Sequence, residues 1–285
     1  MMKASDFLTL TAQSLKAVAK MLIQSRPVKR CADHANSPEI IVLANGPSLN
    51  QTIADHADRL ATTPTLAVNF MANAPQFQQL KPRYYVLADP HFFLGLEHDN
   101  VKNLWANIAA VNWPMTLFVP RTRLKIVRKI LAYSQVHITT YNFVGIEGFA
   151  WLERLAFSRG LAMPRPRNVL IPALMAAISA GYTRIYITGA DHSWMETIRV
   201  TDDNRVVSIQ PHFYTDSKAE QLRSATEYRG YRLHQIIDSF RIAFESYHHL
   251  QRYAASHKIT ILNATPNSYI DAFPRSPLSP TPTLP

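Results

Sequence analysis

Short polar residues follow the first apolar run of the sequence, in the order Asn45-Gly46-Pro47-Ser48. Gly46 permits close backbone approach, and Asn45 and Ser48 offer hydrogen-bonding side chains where a helix is predicted to begin. This arrangement suits a phosphate or a ribose. It matches neither the Walker pattern nor G-x-G-x-x-G, so a standard NTPase or dinucleotide site is not predicted. A plain Ser/Asn helix cap is an equally good interpretation of the same residues.

Polar residues also end three further apolar runs, at Asn69, Asp89 and Asp191. Because the carboxyl ends of parallel strands meet at one edge of a sheet, we expect these residues to share a cleft with Asn45. Asp89 and Asp191 could in principle bind a metal or hydroxyl groups. No D-x-D pair, H-E-x-x-H or spaced His/Cys cluster accompanies them, so we predict no metal cofactor.

A basic turn, Arg165-Pro166-Arg167-Asn168, precedes an apolar helical segment that ends near Gly181. Guanidinium groups and an amide at a helix start could bind an anion. A solvated basic loop explains the turn equally well. We take Arg167 and Asn168 as candidate ligands of an anionic substrate.

Histidines provide the candidate proton acceptors of this sequence. His234 lies near the start of the last long helical segment, where the positive end of a helix favours the neutral, basic form of imidazole. His212 is its rival, and His192 sits beside a strand end. No nucleophilic triad and no G-x-S-x-G are present, so the pattern favours direct displacement with help from a general base.

Alternating strand and helix patterns place these residues. Short apolar runs bounded by turn residues predict strands, and segments with helical spacing separate several of them. The strands are predicted at 39–44, 65–68, 84–88, 115–119, 184–188 and 259–262, and the later helices at 172–180 and 233–255. We therefore predict an α/β fold with a mostly parallel, Rossmann-like sheet, helices on both faces and a small lid.

Three regions follow from the same patterns. Residues 1–38 comprise an amphipathic basic helix and a linker, residues 39–273 form the ligand-binding domain with a lid at about 192–232, and residues 274–285 form a flexible, proline-rich tail. The first helix carries an apolar stripe at Leu8, Leu15, Val18 and Leu22 with lysines beside it. It either packs on its own domain or docks to a membrane surface or a partner.

Composition limits the class of protein. The chain has 285 residues, of which 47% are hydrophobic and 18% charged, so it can bury a large core. Its net charge of +10 favours anionic partners. A lone cysteine, Cys31, excludes an intramolecular disulfide framework, and no apolar stretch is long enough for a spanning helix. We expect a cytoplasmic protein, and a homo-oligomer is left open.

An ordered series of motifs resembles the bacterial sialyltransferases of glycosyltransferase family 42 and their wider relatives. These relatives include the 6-hydroxymethylpterin diphosphokinase-like family and the nonulosonate transferases of flagellin modification. The matching pieces are ANGPSL at 44–49, Asn69, LADPHFF at 87–93, GYTRIYITGAD at 181–191 and NATPNSYIDAF at 263–273. In order and spacing they cover roughly residues 39–273.

The resemblance implies a variant of the GT-A fold that binds a CMP-activated sugar without a metal. Asn45, Gly46, Pro47 and Ser48 would then form the nucleotide loop, and Asn69 would hold the CMP or the sugar. Asp89 stands where the sialyltransferases have asparagine, Asp191 ends a matching strand, and Arg167 with Asn168 resembles the polar loop that holds the donor. The family's base precedes its last long helix, where His234 is the nearest counterpart.

The function predicted from this likeness is inverting transfer of a sialic-acid-like or other keto-acid sugar from CMP to a hydroxyl of a surface glycan. The acceptor is expected to be a glycan or lipid-linked glycan, with the basic first helix at an anionic inner membrane face. A pterin-type pyrophosphokinase, which needs ATP and Mg²⁺, is the alternative enzyme. A basic nucleic-acid-binding module is favoured by charge alone, and nucleic acid is not an expected partner.

Overall fold

The computed structural model describes residues 3–28, 31, 37–208, 228 and 230–278. The strands in these ranges are β1 (Glu39–Leu43), β2 (Thr65–Val68), β3 (Tyr84–Val86), β4 (Thr116–Pro120), β5 (His137–Tyr141), β6 (Gly145–Ile146), β7 (Met163–Pro164), β8 (Arg184–Thr188), β9 (Ile198–Val200), β10 (Val206–Ser208) and β11 (Thr260–Asn263). The α-helices are α1 (Ala4–Gln24), α2 (Leu49–Asp55), α3 (Ala57–Thr62), α4 (Gln76–Leu80), α5 (His91–Leu94), α6 (Asp99–Ala109), α7 (Leu124–Ile130), α8 (Ala150–Ser158), α9 (Leu170–Ser179), α10 (Trp194–Thr197) and α11 (Leu233–Ser256).

Seven strands form one parallel sheet in the order β11-β8-β1-β2-β3-β4-β5. Strand β1 pairs with β2 on one side and with β8 on the other. The chain runs outward from β1 to β5 and then returns to the far side of β1, so the β1/β8 boundary is the topological switch point. The predicted α/β, Rossmann-like fold with a mostly parallel sheet is confirmed.

The sheet is buried on both faces because its strands read as nearly continuous apolar runs. In β1, Ile40 and Val42 pack into one hydrophobic cluster, with α9 and α11, and Ile41 and Leu43 pack into the other, with α6. All four residues are fully buried. Successive side chains of a strand point to opposite faces, so an unbroken apolar run requires cover on both. The rigid sheet that results fixes the positions of the loops at its carboxyl edge.

Helix α1 packs on the segment that contains β6. Ser14 and Ala17 are buried, the Ser14 hydroxyl accepts a hydrogen bond from the Phe149 N–H at 3.0 Å, and Lys20 Nζ donates to the Gly145 carbonyl at 2.8 Å. The predicted apolar stripe lies on another side of the helix, where Leu8, Leu15 and Leu22 are 68%, 69% and 78% exposed. The helix thus packs on its own domain and still presents an apolar face. Among the described residues no helix is both long enough and apolar enough to cross a bilayer.

Three features differ from the sequence-based expectations or extend them. Strand β5 was not predicted, because its sequence, His-Ile-Thr-Thr-Tyr, lacks the apolar run of the inner strands and occupies the sheet edge. Residues 274–278, expected to begin a loose tail, instead pack against the domain: Leu278 is 2% exposed and the Ser276 N–H donates to the Asn263 carbonyl. Within the predicted lid, residues 192–208 form α10 and the β9/β10 hairpin, and 209–227 lie outside the described residues.

Candidate functional site

A cleft of about 520 Å³ opens at the carboxyl edge of the sheet, at the β1/β8 switch point. Its volume lies in the usual range for small-molecule sites, and α/β sheets bind ligands at such points. Eight of the predicted binding residues line it, namely Asn45, Gly46, Pro47, Asn69, Asp89, Arg167, Asn168 and Asp191. His192, Trp194, Phe240 and Ala243 line it as well.

Asn45 presents an unpaired acceptor in this cleft. Its Nδ2 donates to the Val68 carbonyl at 3.0 Å, which fixes the orientation of the amide. Its Oδ1 is buried, has no hydrogen-bond partner among the described residues, and belongs to a side chain only 7% exposed overall. A buried carbonyl oxygen of this kind requires a donor, and an ionised phosphate has none to offer. Asn45 Oδ1 is therefore arranged to accept from a hydroxyl or amino group and not to contact an ionised phosphate.

The Gly46–Ser48 loop is held from within by Asp191. The Ser48 backbone N–H and hydroxyl donate to the two Asp191 oxygens at 3.3 and 2.9 Å, and the Gly46 N–H donates to the Gly189 carbonyl at 2.7 Å. Ser48 does not line the cleft, although it was predicted to bind the nucleotide. Its donors already serve a carboxylate, whose negative charge also disfavours a phosphate there. Asp191 acts as a clamp on the Gly46–Ser48 loop and also borders the cleft.

Two further strand ends contribute to the same edge. Asn69 follows β2 with φ of 51°, a left-handed conformation that asparagine adopts more readily than most residues. Asp89 follows β3, is exposed to the cleft, and accepts a hydrogen bond from the His91 N–H at 2.8 Å through Oδ1. Oδ2 of Asp89 remains as an acceptor for ligand hydroxyls or protons. The prediction that these strand ends would meet in one cleft is confirmed by their positions.

Positive charge reaches the cleft from the turn before α9. Arg167 is exposed and lines the cleft. Burial and the neighbouring charges of Lys16, Arg165 and Arg167 lower the pKa of Lys20 on α1, with Glu147 acting in the opposite direction. The like charges that lower the pKa of Lys20 mark a basic region that joins α1 to the rim of the cleft. An anionic ligand would relieve that repulsion.

An aromatic wall closes the side of the cleft formed by α10 and α11. The ring centroids of His192 and Trp194 are 4.2 Å apart with their planes tilted by 31°, and the Trp194 and Phe240 centroids are 5.3 Å apart. His192 is partly exposed where it borders the cleft, and the inner part of its ring contacts Tyr247. Burial lowers the pKa of His192 to about 3, so its imidazole is neutral at physiological pH. Flat apolar surfaces of this kind suit a nucleobase or the apolar face of a sugar ring.

The two predicted catalytic histidines do not line this cleft among the described residues. His234 is exposed in the first turn of α11, and His212 lies outside the described residues. Sequence reasoning noted His192 beside the strand end but did not assign it a role, and it missed Trp194, Phe240 and Tyr247. The direct succession Asp191-His192-Ser193-Trp194 could have indicated the first two, whereas Phe240 and Tyr247 look like ordinary core positions of a helix.

In the described part of the chain, no group of three or more His, Cys, Asp or Glu side chains could hold a metal ion.

No protein-family model matches the chain, and no curated protein matches it either. Among solved structures it is similar to the structure of MAf glycosyltransferase from Magnetospirillum magneticum AMB-1, with a TM-score of 0.50 and 11% sequence identity. The match covers 94% of this chain and 38% of that one. At this identity the likeness shows a shared fold.

Proposed function

We propose that the protein is an inverting glycosyltransferase that moves a sialic-acid-like or other keto-acid sugar from CMP to a hydroxyl of a glycan or lipid-linked glycan. The observation that carries this proposal is the composition of the cleft: an unpaired acceptor at Asn45, an aromatic wall and the exposed cation Arg167. A CMP-sugar offers hydroxyl and amino donors, planar and apolar surfaces, and a phosphate and carboxylate that require positive charge. The shared fold with a glycosyltransferase supports the same class of reaction.

In the proposed reaction, the acceptor oxygen forms a bond to the anomeric carbon from the face opposite the nucleotide. The bond between that carbon and the phosphate oxygen breaks, CMP leaves with the electron pair, and the acceptor proton passes to a base. His234 remains our proposal for that base. Arg167 stabilises negative charge that grows on the departing phosphate. We propose that transfer needs no metal.

A ligand panel tests this proposal against its alternatives. Apparent stability rises for a ligand that binds only the folded protein, so CMP in the presence of EDTA is expected to raise the melting temperature. ATP with Mg²⁺, NAD and short RNA are expected to leave it unchanged. Stabilisation by ATP with Mg²⁺ in place of CMP would identify a pyrophosphokinase, and stabilisation by RNA a nucleic-acid-binding protein.

The first prediction concerns Asn45. Replacing Asn45 with alanine removes the acceptor, so CMP binding is expected to weaken by about 1 to 3 kcal/mol in calorimetry. Because Oδ1 cannot accept from an ionised phosphate, cytidine should lose the same free energy as CMP. Asn73→Ala is the matched control, since its amide bonds to the Asn100 carbonyl at 2.9 Å and does not line the cleft. Full CMP affinity in a folded Asn45→Ala protein would refute the assignment.

The second prediction concerns α1, which we propose docks to an anionic membrane surface at the inner face of the cytoplasmic membrane. Its exposed leucines and the basic region at Lys16 and Lys20 motivate this proposal. Co-sedimentation with phosphatidylserine vesicles is expected to fall with rising salt, and to fall further in Leu15→Ser. Tyr133→Ser, which changes a fully exposed aromatic outside α1, is the control. Vesicle binding that survives Leu15→Ser and Leu22→Ser together would show that the helix only packs on its own domain.

A further inference from the structure

A chain of hydrogen bonds runs from the turn before α9, through α11, to the end of β8. The Leu170 N–H donates to Asn168 Oδ1 at 2.9 Å, which fixes the orientation of that amide. Asn168 Nδ2 is then the donor to the Tyr247 hydroxyl oxygen at 2.7 Å. Tyr247 is fully buried, so the orientation of its own hydroxyl proton is decided by its protein neighbours.

Among the residues that the structure describes, His192 Nε2 is the acceptor within reach of that proton. The Tyr247 hydroxyl lies 2.6 Å from His192 Nε2, and its oxygen already accepts from Asn168. If Nε2 carried a proton as well, two donors would meet at this oxygen and the buried hydroxyl proton would lack an acceptor. All donors and acceptors are paired only when the Tyr247 hydroxyl donates to an unprotonated Nε2 of His192. A neutral imidazole must then carry its proton on Nδ1.

Further observations indicate that the protein holds the His192 side chain in a fixed position. His192 lines the cleft, and its Nδ1 makes no hydrogen bond to any residue that the structure describes. Its backbone is left-handed, with φ of 56°, a strained conformation that tends to occur where function requires a fixed side chain. Its ring packs against that of Trp194. The low pKa of His192 agrees with a neutral ring.

We propose that His192 is a hydrogen-bond donor to the substrate, whose Nδ1–H binds an oxygen of the donor nucleotide's phosphate, and that Asn168 and Tyr247 position it by fixing its tautomer. This inference rests on the proposed function for the identity of the ligand. In this tautomer His192 offers the cleft a proton and no lone pair, so it does not compete with the general base. Together with Arg167 it supplies donors to the phosphate, whereas Asn45 Oδ1 is an acceptor and the Ser48 donors are bonded to Asp191.

The tautomer is measured in the full chain without ligand. Nitrogen-15 spectra of the two imidazole nitrogens, assigned with a His192→Gln sample, are expected to show a protonated Nδ1 and an unprotonated Nε2. In Tyr247→Phe both tautomers are expected, whereas Tyr253→Phe, whose hydroxyl on the same helix bonds to Ser158, should leave the spectrum unchanged. A protonated Nε2 in the wild type would overturn the inference, whatever CMP does.

Substitution at His192 tests the contact with the ligand. Asparagine places an amide N–H near the position of Nδ1, and glutamine places one near Nε2. His192→Asn is expected to keep most of the CMP affinity, whereas His192→Gln should lose roughly two- to tenfold, the range for one hydrogen bond. Cytidine, which lacks the phosphate, should bind both variants like the wild type. Equal losses for cytidine and CMP would show a merely structural histidine, and no CMP binding by the wild type would refute the proposed function instead.

Discussion

Turnover of a CMP-activated sugar is expected to fall roughly 10²–10⁴-fold in the His234→Ala variant, the usual cost of removing a general base. CMP affinity should stay unchanged, because a base contacts the acceptor and not the nucleotide. The physical reason is that an acceptor hydroxyl is a poor nucleophile at neutral pH. As the keto-acid sugar leaves CMP and builds positive charge, partial removal of the acceptor proton assists the displacement. Separate measurements of turnover and of CMP binding distinguish the two effects.

His234 is not among the described residues that line the cleft. His234 is exposed, and Ala243, which lines the cleft, follows nine residues later on the same helix, a rotation of about half a turn from His234 at roughly 100° per residue. The acceptor would have to meet His234 outside the lining described above. Asp89→Asn is therefore measured beside it, since Asp89 is the exposed carboxylate within the cleft. Normal turnover in His234→Ala with a loss in Asp89→Asn would move the base to Asp89, and His212→Ala completes the comparison.

The Gly46→Ala variant is expected to lose about 1 to 3 kcal/mol of folding free energy, in the range found for overpacked sites, and to lose CMP binding with it. A Cβ at this position would lie 2.0 Å from Asp191 Oδ2 and 2.5 Å from the Gly189 carbonyl oxygen. One of these is backbone, so the loop after β1 and the loop after β8 would have to separate. The clamp between Ser48 and Asp191 would then be broken as well. Urea unfolding and calorimetry with CMP measure the two losses.

Gly95→Ala is the control for this substitution. Its Cβ would meet ring atoms of His91 and His98, which are the ends of flexible side chains, so only a small loss of stability is expected. Wild-type unfolding and wild-type CMP affinity in Gly46→Ala would show that the loop can open freely and that Asp191 does not clamp it. Loss of stability with normal CMP affinity would separate the loop from the nucleotide site.

The sequence by itself determined the elements and the edge at which a ligand could bind. The run Glu39–Leu43 reads as a buried parallel strand because every residue after Glu39 is apolar, and the structure buries both of its faces. The strands that end at Asn69, Asp89 and Asp191 were predicted in the same way. Since parallel strands end at a common edge, these polar residues had to meet there. Strand β5 was missed because its sequence, His-Ile-Thr-Thr-Tyr, contains no apolar run.

Only the tertiary structure decided what each polar group bonds to. Ser48 and Asp191 are 143 residues apart in sequence. Ser48, predicted to bind a phosphate, bonds to Asp191 and so supports its own loop. Asn168, Tyr247 and His192 come from three separate elements, joined by bonds that span 79 and 55 residues. The hydrophobic periodicity of the sequence indicates which side of a helix or strand is buried. It does not indicate which residue lies across the interface. That partner is set by the crossover that returns β8 beside β1 and by the packing of α11 against it.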